Sequence, residues 1–414
     1  MANILANAAG DFHTGATWIG GVVPGVGDNA YTNTRAITIT QDVTCDLISN
    51  RADGGATIGG TLVCATDGLT ITANLQAGTT TLLTVTANIG LTIVGTTTGG
   101  TASNIRAVLW NSPGTLTVTG NPIAGTNGTA AGIANSHASG VINITGDPVA
   151  STTVASVAVS NTAGGTINIT GNCTGGAFAA SVCVNNTSTG TMNITGNCLG
   201  GATTTAYGAA NTGGGTMNIT GNCTGAGTTS SGAHNNAAGT LNIVGTATGG
   251  ESGASGATNA STGTLTVTRA KGNTWGPAGG ASAVGYGVVN SNVAGVVIVT
   301  EVEYGSNGML PTLGVTFFKA TGTANKCVTT LASAGGAQNL VNAANVAGLC
   351  PAITDVRTGV VYGAATLTGT CAVPAASSVA AGVSVDATTG TAVITIPTIN
   401  SLVGQIVADA LEGV

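Results

Sequence analysis

Residues 165–171 read GTINITG, residues 190–196 and 215–221 both read GTMNITG, and residues 239–245 read GTLNIVG. The leading glycines of these phrases are 25, 25 and 24 residues apart. A phrase that returns at a fixed period is the mark of stacked repeats, because one such unit cannot bury its apolar residues alone and must lay them on the next copy. Inside the phrase the alternation is strict, with Ile167 and Ile169 set between Thr166, Asn168 and Thr170. A period of two belongs to a strand with one buried face. Ile, Met, Leu and Val are therefore expected to face inward, and Thr and Asn outward.

The phrase extends in both directions. GTLTVTG begins at Gly114, GVINITG at Gly140 and GTLTVT at Gly263, with weaker copies at Gly68, Gly90 and Gly295. A second phrase recurs half a period later and ends in asparagine, at Asn111, Asn135, Asn161, Asn185, Asn211, Asn235, Asn259 and Asn290. Two residues before each stands Leu109, Ile133, Val159, Cys183, Ala209, Ala233, Ala257 or Val288, which reads as a second strand facing the same interior. These asparagines precede a glycine-bearing corner, where an amide can bond the backbone and its copy in the next coil. They are read as a structural Asn ladder. A third phrase, GNCTGG from Gly171, GNCLGG from Gly196 and GNCTG from Gly221, places Cys173, Cys198 and Cys223 on one axial line, in a slot that Ala247 and Thr97 fill elsewhere. Thiols on one line do not converge on a metal, so cysteine reads as a small buried filler.

The expected fold is all-β: a single-stranded β-solenoid, or β-helix, with coils of about 25 residues, a capped N-terminus, a small C-terminal β module and a terminal helix. The expected organisation is residues 1–60 as N-terminal cap and solenoid entry, 61–320 as solenoid repeats, 321–354 as linker, 355–400 as the β module and 401–414 as the helix, with Leu402, Val403, Ile406, Val407 and Leu411 at helical spacing.

Composition agrees with this reading. Of 414 residues, 5% are charged, 3% are aromatic and 68 are glycine, whereas an ordinary globular domain carries about 25% charge. Disordered chains are poor in β-branched residues, and this one is dense in Thr, Val and Ile. Its cations are scattered, so no basic stripe exists to neutralise phosphates, and nucleic acid is not expected as a partner. No apolar run approaches the ~20 residues of a membrane span, and the first residues lack the charged and apolar regions of a secretory signal. Assembly in a cytoplasm is expected.

Catalysis is not expected, nor any cofactor or metal. Carbohydrate-cleaving solenoids need paired carboxylates about 5–9.5 Å apart, yet between Gly114 and Thr268 the only acids are Asp147 and Glu251. Glu301 and Glu303, or Asp42 and Asp46, read as solvated strand faces. Of the histidines, His234 falls in an outward slot shared with Trp110, Ala134, Ser160 and Thr258. Trp110, Tyr207 and Tyr286 are read as outward aromatics on the Asn-bearing strand, the candidates for contact with a host-surface glycan.

Three segments also carry a family resemblance. TWIGGVVPGVGDNA at 17–30, the GT-x-N-x-TGN-C-TGG arrays, and DVRTGVVYG, GTCAVP and GVSVDATTGTA beyond residue 354 resemble modules of bacteriophage virion proteins. They are similar as well to bacterial β-solenoid proteins with the same repeats. The resemblance implies a virion component of the spike, fibre or capsid-decoration type, homotrimeric and in contact with other virion proteins, and it transfers no catalytic residue. Two other classes compete with it. One is an ice-binding solenoid, suggested by outward ranks such as Thr115/Thr117/Thr119. The other is a bacterial surface adhesin.

Overall fold

The computed structural model describes residues 2–52, 56, 58–127, 130–152, 156–176, 182–201, 207–227, 230–250, 254–272, 287–292 and 295–303, together with strand residues 318–320, 326–329, 361–362, 367–368, 384–385 and 388–389. The chain divides into two units, Met1–Ala347 and Gly348–Val414. Each is described by itself.

The first unit is a parallel β-solenoid. One sheet holds the alternating phrase, the other the phrase that ends in asparagine. Thr166–Thr170 lies parallel to and in register with Thr191–Thr195, which does the same with Thr216–Thr220, so that each residue stacks on its counterpart one coil away. Parallel pairing continues from Gly90–Val94 to Val296–Glu303. Register is fixed because a slip of one residue would turn every inward aliphatic out to water. Ile167, Ile169, Met192, Ile194, Met217 and Ile219 are buried, and each stabilises the rod by roughly 1.5–3 kcal/mol relative to exposure.

Stacking already runs through the N-terminal residues, where the phrase is absent: Asn3–Leu5 pairs with Asn29–Tyr31, and that strand with Val43–Ser49. Beside these first coils, Trp18 packs edge-on against Phe12 with ring centroids 5.0 Å apart, and its indole N–H donates to the Phe12 carbonyl at 2.7 Å. The packing places Trp18 and Phe12, two of the three largest fully buried side chains among the described residues, where the repeat phrase is missing.

Glycine turns the corner after the alternating phrase. Gly171, Gly196 and Gly221 have φ of 152°, 151° and 159°, and a Cβ on Gly196 would overlap the carbonyl oxygen of Gly171 in the coil before. No other residue allows that approach.

In the second unit, Val361–Tyr362 pairs antiparallel with Leu367–Thr368, and Ser384–Val385 with Thr388–Thr389. The expected helix at 401–414 and most of the expected linker at 321–354 lie outside the described residues; within that linker, Lys326–Thr329 is a strand that pairs parallel with Val296–Glu303.

Candidate functional site

Three rows of side chains, amides except for Asp147, run along the rod, and each does a different job. The inner row stands on the second sheet. Asn135, Asn161, Asn186, Asn211, Asn235 and Asn259 are fully buried and stack in register, with Asn290 next in line. From each described amide, Nδ2 donates to the carbonyl of the glycine that opens the alternating phrase: Asn161 to Gly165 at 2.9 Å, Asn186 to Gly190 at 2.9 Å, Asn211 to Gly215 at 3.1 Å. Amide-to-amide bonds join Asn135 to Asn161 at 3.2 Å, Asn211 to Asn235 at 3.3 Å and Asn235 to Asn259 at 3.1 Å.

Two positions expected in this row are elsewhere. Asn186, not Asn185, occupies the buried slot, and Asn185 instead accepts a hydrogen bond from the Thr212 hydroxyl at 2.8 Å. Asn111 is exposed, and its slot belongs to Trp110, which stacks on Asn135. Trp110 is fully buried. Its indole Nε1 donates to the Gly114 carbonyl at 3.2 Å, the same bond that asparagine makes one coil later. Trp110 is thus an interior donor and not an outward aromatic open to a glycan. The physical rule is the distance to the following glycine carbonyl, which selects residue 110 before Gly114 and residue 186 before Gly190. The paired apolar slots shift with them, to Val108 and Val184.

A second row lies outside, mid-strand on the long sheet. Asn168 donates to Asn143 at 2.8 Å, Asn193 to Asn168 at 2.9 Å, Asn218 to Asn193 at 2.8 Å and Asn242 to Asn218 at 2.9 Å. Threonines flank it on both sides, as in Thr166/Asn168/Thr170 and Thr191/Asn193/Thr195. The third row turns the exposed corner: Oδ1 of Asn121, Asp147, Asn172, Asn197 and Asn222 each accepts the backbone N–H of the next coil's corner residue at 2.7–3.0 Å. Asp147 is one rung of that row.

Groups with chemical potential are engaged in packing. Cys173, Cys198 and Cys223 stack in register, and Cys183 donates to the Pro148 carbonyl at 3.0 Å. All four are buried thiols. Hydrogen bonds to Cys183 and Cys198, and then burial, hold Cys173 protonated, and a bond to Cys198 does the same for Cys223. Cys198 is pulled down by the two thiols that donate to it, against its own burial. The Cys45 and Cys64 thiols are pushed up to about 12 by burial. Among the described residues, no group of three or more His, Cys, Asp and Glu gathers to hold a metal ion.

The carboxylates near the N-terminal end cap backbone. Asp42 accepts from the Thr70 N–H at 2.8 Å, and Asp46 from the Gly27 N–H at 3.1 Å. Asp46, Asn29, Thr72, Asn74 and Val94 line a groove of about 440 Å³, next to the register shift after Thr44. Glu301 and Glu303 stand in register beside Arg269 and Lys271.

On the outer side of the second sheet, the ring of His234 stacks on Tyr207 with centroids 4.1 Å apart, and burial pushes its pKa down to about 4. Its Nδ1 has no hydrogen-bond partner among the described residues. Tyr207 is half-buried, and burial raises its pKa. Tyr286 lies outside the described residues. A scan against protein-family models, a search of curated proteins and a search of solved structures each return no match for this chain.

Proposed function

We propose that this protein is a non-enzymatic structural rod, carried on a bacteriophage particle as a spike, fibre or decoration. One observation carries the reading: the repeated side chains that could do chemistry, amides and thiols alike, are spent on holding one coil to the next. A surface protein that works by shape and repetition needs such a rod, because each coil supports only its neighbours and the whole gains stiffness from registered contacts. The virion modules that the chain resembles supply the particle. The test is mass spectrometry of purified particles from a producing host culture. Peptides from this chain should be present at structural stoichiometry, and their absence from intact particles rejects the reading.

A second reading, ice binding, draws on the flat threonine ranks such as Thr191/Asn193/Thr195, whose hydroxyls repeat once per coil at about 4.7–4.9 Å. Thermal hysteresis and ice shaping by the purified chain would support it, and growth of unshaped ice at the melting point removes it.

A further inference from the structure

We infer that the outer face of the long sheet is a self-association surface, through which two copies of the chain pack face to face as a two-fold dimer. The inference rests on the structural-rod reading and names the partner of the outer face of its long sheet.

The first ground is the absence of charge. From Gly90–Val94 to residues 240–244, the outward columns of the five-residue phrase hold Thr, Asn, Val and Gly, with no Asp, Glu, Lys or Arg. Charges of both signs spread over a surface are the usual guard against association, and this face lacks them. Apolar side chains stand in their place near both ends of the columns. Val94 is 38% exposed, Val244 66% and Ile298, one column over, 40%.

The second ground is the central row. From Asn143 to Asn242 each amide is bonded to the next along the rod. Removing a polar group from water is costly only when its hydrogen bonds are lost, and these amides carry one with them. Stacked identical side chains with axial amide ladders are the surface that mates in dry, interdigitated sheet pairs. The same ladder disfavours ice, since a bond spent along the rod is not offered to a water lattice.

The third ground is size. Nine stacked strands run from Gly90–Val94 to Val296–Glu303. At ~4.8 Å per coil and ~3.3 Å per residue across a five-residue phrase, the face measures ~38 by ~13 Å, or ~1,000 Å² buried between two copies. A specific interface needs about that much. One flat face meeting its own copy closes as a two-fold pair, whereas a threefold assembly would need two different surfaces.

The test is sedimentation of the full chain at micromolar concentration, with three variants. Thr170→Lys/Thr220→Lys puts like charges opposite one another across the pair. Val244→Lys does so at a side chain already exposed, with the least demand on folding. Ala138→Lys/Thr189→Lys adds the same charge at exposed corner positions off the face. The expected result is a wild-type dimer, at least about tenfold weaker dimerisation in the two face variants, where like charges meet across the interface, and an unchanged dimer in the corner variant. A monomeric wild type overturns the inference, and thermal hysteresis in that monomer gives the face to ice instead. A dimer or trimer indifferent to both face variants, with far-ultraviolet circular dichroism unchanged, overturns it as well. Absence of the chain from phage particles would reject the structural-rod reading while leaving the dimer result as it stands.

Discussion

At the residue scale, the inner asparagine row makes the sharpest claim. Nδ2 of Asn211 donates to the Gly215 carbonyl at 3.1 Å, to Asn235 at 3.3 Å and to the Thr240 carbonyl at 3.3 Å. Asn211→Ala leaves those acceptors unpaired in a buried strip and should cost about 1–3 kcal/mol. Asn211→Asp should cost more, because it turns an oxygen toward carbonyls that want a donor. Asn193→Ala, in the half-exposed outer row, should cost less than either. Thermal unfolding of the three variants ranks them, and an equal loss for Asn193→Ala and Asn211→Ala would show that burial does not separate the two rows. His234 offers a pH test. Its folded pKa of about 4 lies below the ordinary 6.5, so the unfolded chain binds more protons between those values and stability drops as pH falls through that window. The loss reaches at most about 3 kcal/mol. His234→Thr, which copies the Thr258 slot, should flatten the dependence of melting temperature on pH between 6.5 and 4. Parallel curves for wild type and variant would refute the assignment.

At the element scale, much of the molecule can be read from the sequence, because a strand with a two-residue period and a fixed repeat length leaves few folds open. The alternating phrase, its inward aliphatics and the cysteine line at 173, 198 and 223 follow from spacing alone. The inner row was harder to place. Asn185 and Asn186 are adjacent, and only the distance to the next phrase's glycine carbonyl distinguishes them. Trp110 has no asparagine-like side chain except for one N–H in the right place, so a rule based on residue type passes over it. The outer and corner rows leave no such trace: a polar residue on an exposed face gives no sign, in one sequence, that it is bonded to its own copy. The corner glycines yield a cleaner prediction. Gly196→Ala forces a Cβ onto the Gly171 carbonyl oxygen at a φ of 151°, whereas Gly214→Ala meets only the Thr189 methyl at 3.9 Å. The first should lower the melting temperature sharply or abolish soluble expression. The second should be close to neutral. Equal stability of the two variants would show that the corner can open without cost.

At the scale of the whole molecule, the first unit is a one-dimensional stack in which each coil touches its neighbours, so stability is a sum of coil and interface contributions. Thr166–Thr170 and Thr216–Thr220 make the same register with the strand between them. Removing residues 190–214 takes out that strand together with its corner and its inner asparagine, one complete repeat of 25 residues. It brings Ile167 over Met217, Asn168 over Asn218 and Cys173 over Cys223, so every inward and outward side chain keeps its side. The inner row closes as well, with Asn186 preceding Gly215 by the same four positions as it now precedes Gly190. The shortened chain should remain soluble and β-rich by circular dichroism, with a modest fall in melting temperature, since only one coil and one interface are lost. Removing residues 190–201 instead deletes Thr191–Thr195 and Cys198–Leu199 but keeps Ala209–Asn211, so two Asn-bearing strands follow one another with no alternating strand between them, and that variant should aggregate. If both deletions fold, or both fail, the coil is not the unit of stability in this molecule.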